Sequence, residues 1–260
     1  MVYEMEIKLL IIIVTYNSAT DIRRCIEGGH LIENEKSIVI SDNCSADDTA
    51  KIARELGCEV ILNENNLGYS KAINKAVEVF GANDYSHLLI LNPDAFIVDP
   101  INFNLISSQM DLNDVATIKM ISSTGEERIN TFRFPRLSNL LLNRFRLHPI
   151  NSGQHCKVES LEGSFLFLSL EAFKNVQGFD QNIFLYGEDY EFCYRLSKIS
   201  GICHFFPDKA FIHDGGFNSR RKIFVLDGLI YFFKKHRSLF AYYFALAIIN
   251  AKKIMLRRMK

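Results

Sequence analysis

Two uninterrupted aliphatic runs constrain this chain more than any other feature: Leu9-Leu10-Ile11-Ile12-Ile13-Val14 and Leu88-Leu89-Ile90-Leu91. Neither alternates polar with apolar, so each reads as a strand buried on both faces, the signature of a parallel sheet covered by helices on either side. The second run meets Asn92-Pro93-Asp94. Pro93 cannot donate to a ladder, so the strand should stop there and leave Asp94 at its carboxyl end. Open α/β sheets place their ligands at that end. Asp94 therefore reads as a carboxylate placed to hold a divalent metal at a ligand site, or else as a turn aspartate satisfying local N–H groups.

The pattern around these runs is regular. Asp21 to Glu27, with Ile22 and Ile26 in helical spacing, reads as a helix closed by Gly28-Gly29. Ser37–Ser41 is a strand, and Asp42-Asn43-Cys44-Ser45 leads into a helix that runs to about Leu56, with Ser45 and Asp48 in a capping arrangement. Glu59–Leu62 is a third strand; Ala72, Ile73, Ala76, Val77 and Phe80 mark a helix after the polar loop Asn63–Tyr69. Asn74 within that helix faces either solvent or the site. Strand and helix alternate up to Asp94, which implies right-handed crossovers and a convergence of Thr15, Asp42 and Asp94 on one sheet edge.

Beyond Asp99-Pro100 the pattern loosens. Residues 116–121 and 129–134 read as strands around a turn at 122–127, and 137–147 as an amphipathic segment. Pro149 to Gly153 reads as a flexible loop over the site. Phe165–Leu168 is another apolar strand, Leu170–Val176 a short helix, and Gly178-Phe179-Asp180 a turn in which Asp180 is the turn former. A helix begins at Glu188-Asp189, its acids in the first turn, and Ile202–Phe206 is the last strand, trailed by Ala210–Gly216.

The 260 residues, 48% of them hydrophobic, support one large α/β domain and exclude global disorder. Six cysteines with no CxxC spacing read as reduced thiols of a cytosolic protein, and no secretory signal is recognisable. Net charge is zero, yet Arg220 to Lys260 holds eleven Lys/Arg against one acid, Asp227. A chain of this kind divides into a domain over 1–219 and a basic amphipathic helical tail over 220–260. The uncharged stretch Ser238 to Asn250 of the tail, with Ala251 after it, falls short of the roughly 20 residues needed to span a bilayer. The tail therefore reads as lying on an anionic membrane surface, with packing on the domain or on a second copy in a homo-oligomer as the alternatives. Nucleic acid is excluded as a partner, since no binding module accompanies the basic tail.

In order along the chain stand Ile13-Val14-Thr15-Tyr16-Asn17-Ser18, Asp42-Asn43-Cys44-Ser45, Asn65-Asn66-Leu67-Gly68, Leu91-Asn92-Pro93-Asp94, Gly178-Phe179-Asp180 and Glu188-Asp189. Together they resemble the family 2 inverting glycosyltransferases of the GT-A fold. With Arg133–Ser138, Leu161–Leu170 and Ile212-His213, the chain looks most like bacterial rhamnosyltransferases of O-antigen and cell-surface polysaccharide assembly.

The resemblance implies a mostly parallel Rossmann-like sheet and transfer of L-rhamnose from dTDP-L-rhamnose to a polyprenyl-diphosphate-linked saccharide, with Mg²⁺ or Mn²⁺ as cofactor, at the inner face of the cell membrane. It assigns Thr15, Tyr16, Asn17, Asp42, Asn43, Asn66, Gly68, Asn74, Asn92 and Asp94 to the donor, Asp94 and His213 to the metal, and Asp189 to the general base. Gly163, Tyr186 and Glu188 fall on the acceptor side. Asn92 departs from the strict Asp-x-Asp metal motif and costs it one charge. That departure leaves a second reading open: a non-catalytic nucleotide-sugar or polysaccharide binding module. Taken singly, Asp189 and Glu188 could also be dipole-favoured first-turn acids, His213 a strand-end histidine and Asp42 a helix cap.

Overall fold

A computed structural model describes residues 7–28, 31, 37–81, 85–142, 154–215 and 219–258. Strands β1 (Leu9–Thr15), β2 (Ser37–Asp42), β3 (Glu59–Leu62) and β4 (His87–Leu91) alternate with helices α1 (Ile22–Gly28), α2 (Thr49–Glu55) and α3 (Tyr69–Phe80). The four strands pair in parallel in the order β3-β2-β1-β4, with Thr15 in register with Asp42. Every residue of β1 is buried. Ile11 and Ile13 pack toward Ile22, Ile26 and Ala53, while Leu10 and Ile12 pack toward Ala72 and Ile73. The unbroken aliphatic run is thus explained by two helical layers, one on each face.

The chain continues through β5 (Phe96–Ile97), α4 (Phe103–Ser107), β6 (Val115–Ile121), β7 (Glu127–Arg128), β8 (Thr131–Phe132), α5 (Leu137–Leu142), β9 (Cys156–Val158) and β10 (Ser160–Leu161). Next come β11 (Phe165–Ser169), α6 (Leu170–Asn175), α7 (Glu188–Lys198), β12 (Cys203–Ile212), α8 (Ser219–His236) and α9 (Leu239–Arg258). The main sheet runs β3-β2-β1-β4-β11-β6-β12-β5. β11 sits between β4 and β6 and is antiparallel to both. This reversal brings its leading residues, Gly163-Ser164, to the edge where β1, β2 and β4 end: Asn92 N–H donates to the Ser164 carbonyl at 3.1 Å.

Several local expectations need correction. The strand read over 129–134 shrinks to β8, which pairs with β10, while the hairpin partner of β6 is β7, at the end of the expected turn. The last strand does not stop at Phe206. It resumes after a register shift between Phe206 and Ala210, at Pro207, and reaches Ile212. Ser45 and Asp48 form no capping pair. Ser45 bonds Asp42, and Asp47 Oδ1 takes the Thr49 N–H at 3.1 Å. The expected loop at Pro149–Gly153 and the end of the 137–147 segment lie outside the described residues.

The tail is two helices rather than one, broken at Arg237-Ser238, where Ser238 Oγ accepts from Ala241 N–H. Among the described residues no helix is long and apolar enough to cross a membrane. Residues on the two sides of 219/220 share one apolar cluster. Phe232 and Phe233 of α8 are fully buried, and Leu226, Leu229 and Phe233 form a core with Leu140, Ala245 and Ile249. Of the six free cysteines, Cys25, Cys58, Cys193 and Cys203 are buried and Cys44 is exposed.

Candidate active site

On the donor side a closed hydrogen-bond network joins the ends of β1 and β2. Asp42, 1% exposed, accepts from Thr15 Oγ1 (2.7 Å), Ser45 Oγ (2.5 Å) and Ser45 N–H (2.9 Å). Asn17 adopts a left-handed backbone (φ 53°). Its N–H donates to Ser45 Oγ and its Oδ1 accepts from Ala46 N–H. Buried Asn43 donates to the Gly68 carbonyl (3.3 Å) and accepts from Asn63 (3.1 Å), while Asn66 Oδ1 accepts from Gly68 N–H. Gly68 is irreplaceable in place: at φ +81° a Cβ would sit 2.5 Å from the Phe184 carbonyl oxygen, which accepts from Tyr69 N–H. Above this network Tyr16 leaves its ring 55% exposed at the strand end.

At the end of β4 the metal-side residues assemble. Asp94 Oδ1 lies 3.2 Å from His213 Nε2, and the Asn92 amide nitrogen 3.5 Å from the same atom. Glu162 Oε1 faces His213 Nδ1 at 3.6 Å, an electrostatic distance rather than a hydrogen bond. Burial opposes protonation of His213, but Asp94 and Glu162 outweigh it and hold its pKa above the usual value. The Tyr69 hydroxyl lies 3.1 Å from Asn92 Oδ1 and 2.9 Å from the Gly163 carbonyl, so its one proton serves either. Neutral Asn92 is thereby given a bridging role that a second carboxylate could fill only as an added charge.

These donors fit a hard cation shared with a diphosphate. A half-exposed carboxylate and an imidazole meet on one side, leaving the remaining positions to phosphate oxygens and water. Among the described residues no three His, Cys, Asp or Glu side chains are grouped to enclose an ion alone.

The acceptor side is built at the start of α7. Tyr186 (φ 66°) and Gly187 (φ 103°) are consecutive left-handed residues, a conformation costly for an aromatic residue. They turn the chain so that Asp189, half-buried, accepts from Gly163 N–H at 3.3 Å and from Tyr190 N–H at 2.7 Å. Burial pushes the Asp189 carboxyl up, and nearby Glu162 adds to this. Glu188 is 5% exposed; burial, then the adjacent Asp189 charge, raises it too. Glu188 Oε2 has no hydrogen-bond partner. The link Asp94–His213–Glu162, then Gly163–Asp189, places both acids on one site.

Asn74 stands apart. Its amide donates to Phe179 O (2.8 Å) and accepts from Phe179 N–H (2.9 Å), so it clamps the Gly178-Phe179 turn and faces neither solvent nor the Asp42 network. Asp180 does form a turn, through Asn182 N–H (2.9 Å), and also bonds Tyr231 (2.7 Å) and Lys235 (2.5 Å) of α8. These partners hold its carboxyl far below the ordinary range despite burial.

Sequence reading missed Tyr69 and Glu162; the only signal was their adjacency to Gly68 and Gly163. It also missed Glu191, fully buried, which pairs with Arg195 (2.9 and 3.0 Å), Lys235 (2.8 Å) and His236 (3.0 Å), locking α8 to α7.

The sheet order and the convergence of donor loops with the α7 terminus define a GT-A-type domain. Residues 10–99 match the family described as "Glycosyl transferase family 2". Over those residues the chain is similar to that family. It is 23% identical over 216 residues to rhamnosyltransferase WbbL of Escherichia coli K12, covering 78% of this chain and 82% of that one. It is 25% identical over 197 residues to the low-salt glycan biosynthesis hexosyltransferase Agl10 of Haloferax volcanii, covering 73% and 62%. In structure it resembles the mannosyltransferase PcManGT of Pyrobaculum calidifontis, solved with GDP-Man and Mn²⁺ (TM-score 0.62, 15% identity, 96% of this chain and 70% of that one). It also resembles GalNAc-T7, solved with UDP, GalNAc and Mn²⁺ (TM-score 0.60, 14% identity), of which it spans 48%, the match covering 87% of this chain.

Proposed function

We propose that this glycosyltransferase inverts the anomeric centre of a nucleotide-sugar, with L-rhamnose from dTDP-L-rhamnose as the donor sugar. The acceptor is a saccharide on a polyprenyl diphosphate, in O-antigen or cell-surface polysaccharide synthesis. The observation that carries the reading is the continuous link from Asp94 through His213 and Glu162 to Gly163 and Asp189.

Asp189 accepts the proton of the acceptor hydroxyl as that oxygen bonds to the anomeric carbon, and the bond from that carbon to the diphosphate oxygen breaks. The transition state is oxocarbenium-like. Asp94 and His213 would hold Mg²⁺ or Mn²⁺, which neutralises the departing diphosphate as a Lewis acid. Buried Asp42 and Asn43 hold the loops that receive the nucleotide, and Tyr16 offers a ring face to its base. The binding-module alternative rests on Asn92 alone. The hydroxyl of Tyr69 gives that residue a use without charge, which favours the enzyme.

Exposed Leu239, Phe240, Tyr243 and Phe244 on α9, in a segment rich in Lys/Arg, support a peripheral position on the anionic inner membrane face. The central test is Asp189→Asn. Metal-dependent release of nucleoside diphosphate should fall by about 10²-fold or more while nucleotide binding persists. Unchanged turnover would exclude the role. Because Asp189 must be ionised to act and its pKa is raised, kcat/KM of the parent enzyme should fall with acidification well before the ordinary carboxylate range.

A further inference from the structure

Between the loop leading into α7 and the C-terminal helices lies a groove of about 460 Å³. Phe184, Leu185, Phe224, Ile230 and Tyr242 form its walls, with Lys234 at its rim. We propose that this groove binds the apolar chain of a lipid-phosphate acceptor, with the Lys234 ammonium taking the phosphate. The inference rests on the lipid-linked acceptor reading above and gives that lipid a place.

Three observations carry it. First, the groove and the site are built on the same stretch of chain. Phe184 shares its backbone with both: its carbonyl accepts from Tyr69 N–H at 2.8 Å, and Tyr186-Gly187-Glu188-Asp189 follow two residues on. Gly228 lets α8 approach that loop, since a Cβ there would lie 2.3 Å from the Tyr186 carbonyl oxygen. A mid-helix glycine is otherwise unfavourable.

Second, the walls waste apolar surface on water. Phe184 is 46% and Phe224 39% exposed, their ring centroids 6.0 Å apart. Each methylene a ligand buries there is worth about fourfold in affinity.

Third, the charge has one sign. The one acid of the lining, Asp227, is paired with Lys253, whereas Lys234 has no ion-pair partner among the described residues. A long apolar chain ending in phosphate meets all three conditions. Tyr242 further joins the groove to exposed Tyr243, ring centroids 5.0 Å apart, on the face of α9 that would meet the bilayer from which such a chain arrives.

The test titrates farnesyl diphosphate into the full chain by calorimetry, with and without saturating dTDP and Mg²⁺, against inorganic diphosphate and farnesol. Farnesyl diphosphate should bind at least tenfold tighter than inorganic diphosphate in both conditions. Phe224→Asp should weaken it fivefold or more, and Lys234→Glu about threefold, with dTDP affinity unchanged. Phe224→Leu, which keeps an apolar wall, should lose less than Phe224→Asp and guards against a folding defect.

Equal affinities for the two diphosphates, or full binding by Phe224→Asp, overturns the proposal. So does a second copy filling the groove, seen as a dimer that Phe224→Asp dissociates while farnesyl diphosphate has no effect. The two readings fail separately. Absent dTDP and UDP binding sinks the transferase assignment while the farnesyl titration still decides the groove. Nucleotide binding without farnesyl binding sinks the groove alone.

Discussion

The donor and acceptor halves of the site spend their polar groups differently. Around Asp42 the polar atoms are largely consumed: Thr15, Asn17, Asn43, Ser45, Asn63 and Asn66 hydrogen-bond one another or nearby backbone. On the acceptor half Ser160 Oγ, Ser164 Oγ, Glu188 Oε2 and Tyr190 OH are buried without hydrogen-bond partners; on the donor and metal side Ser70 Oγ and His213 Nδ1 are the counterparts. Buried orphans are costly unless something meets them. Under the proposed function the donor half is a finished scaffold that a nucleotide would enter, whereas the acceptor half would keep unspent capacity for hydroxyl-rich substrate. The acids follow the same division: Asp42 rests among donors, while Asp189 is pushed upward by burial and Glu162, and Glu188 by burial and the adjacent Asp189.

Three substitutions sharpen this contrast. The largest effect is expected at Glu191, the carboxylate that Arg195, Lys235 and His236 share beneath the acceptor half. Glu191→Ala should cost about 3–5 kcal/mol in urea unfolding, because Arg195 and Lys235 lose a buried partner. A loss under 1 kcal/mol would mean that the helices hold without it.

Next comes Asp42→Asn, which turns an acceptor of three hydrogen bonds into a mixed group. We expect about 1–3 kcal/mol of destabilisation and weaker nucleotide binding. If nucleotide affinity falls while stability is intact, Asp42 touches the ligand more than it braces the loops.

The smallest is Asn74→Ala, at about 1–2 kcal/mol, since two hydrogen bonds to Phe179 join the halves. Its KM for donor should hold. A rise in donor KM with unaltered stability would return Asn74 to the nucleotide.

The halves also differ in legibility. Strands β1, β2 and β4 were readable because each is an unbroken aliphatic run stopped by polar residues or proline, and the parallel topology then fixes which edge their loops share. Glu188-Asp189 was readable from helix chemistry. What stayed hidden depends on pairings distant in sequence. The antiparallel insertion of β11 carries no local mark, since Phe165–Ser169 looks like any buried strand. Glu162 and Tyr69 matter only through what stands opposite them. In the tail, Lys235 and His236 meet Glu191 and Arg237 meets the Pro135 carbonyl, contacts that charge alone does not announce. Charge counting cannot distinguish cations facing lipid from cations turned inward to a partner.

The backward run of β11 has a consequence for how such sites can change. One ladder fixes Phe165 opposite Leu91, so the metal-side turn and the base-side glycine hang from the same rung. A slip of one residue would invert every side chain of that strand. Insertions should therefore accumulate in the stretches before Ser160 and after Ser169, and almost never between them. Acceptor preference is free to drift at the periphery while the gap between leaving group and base stays fixed like the span of a gauge.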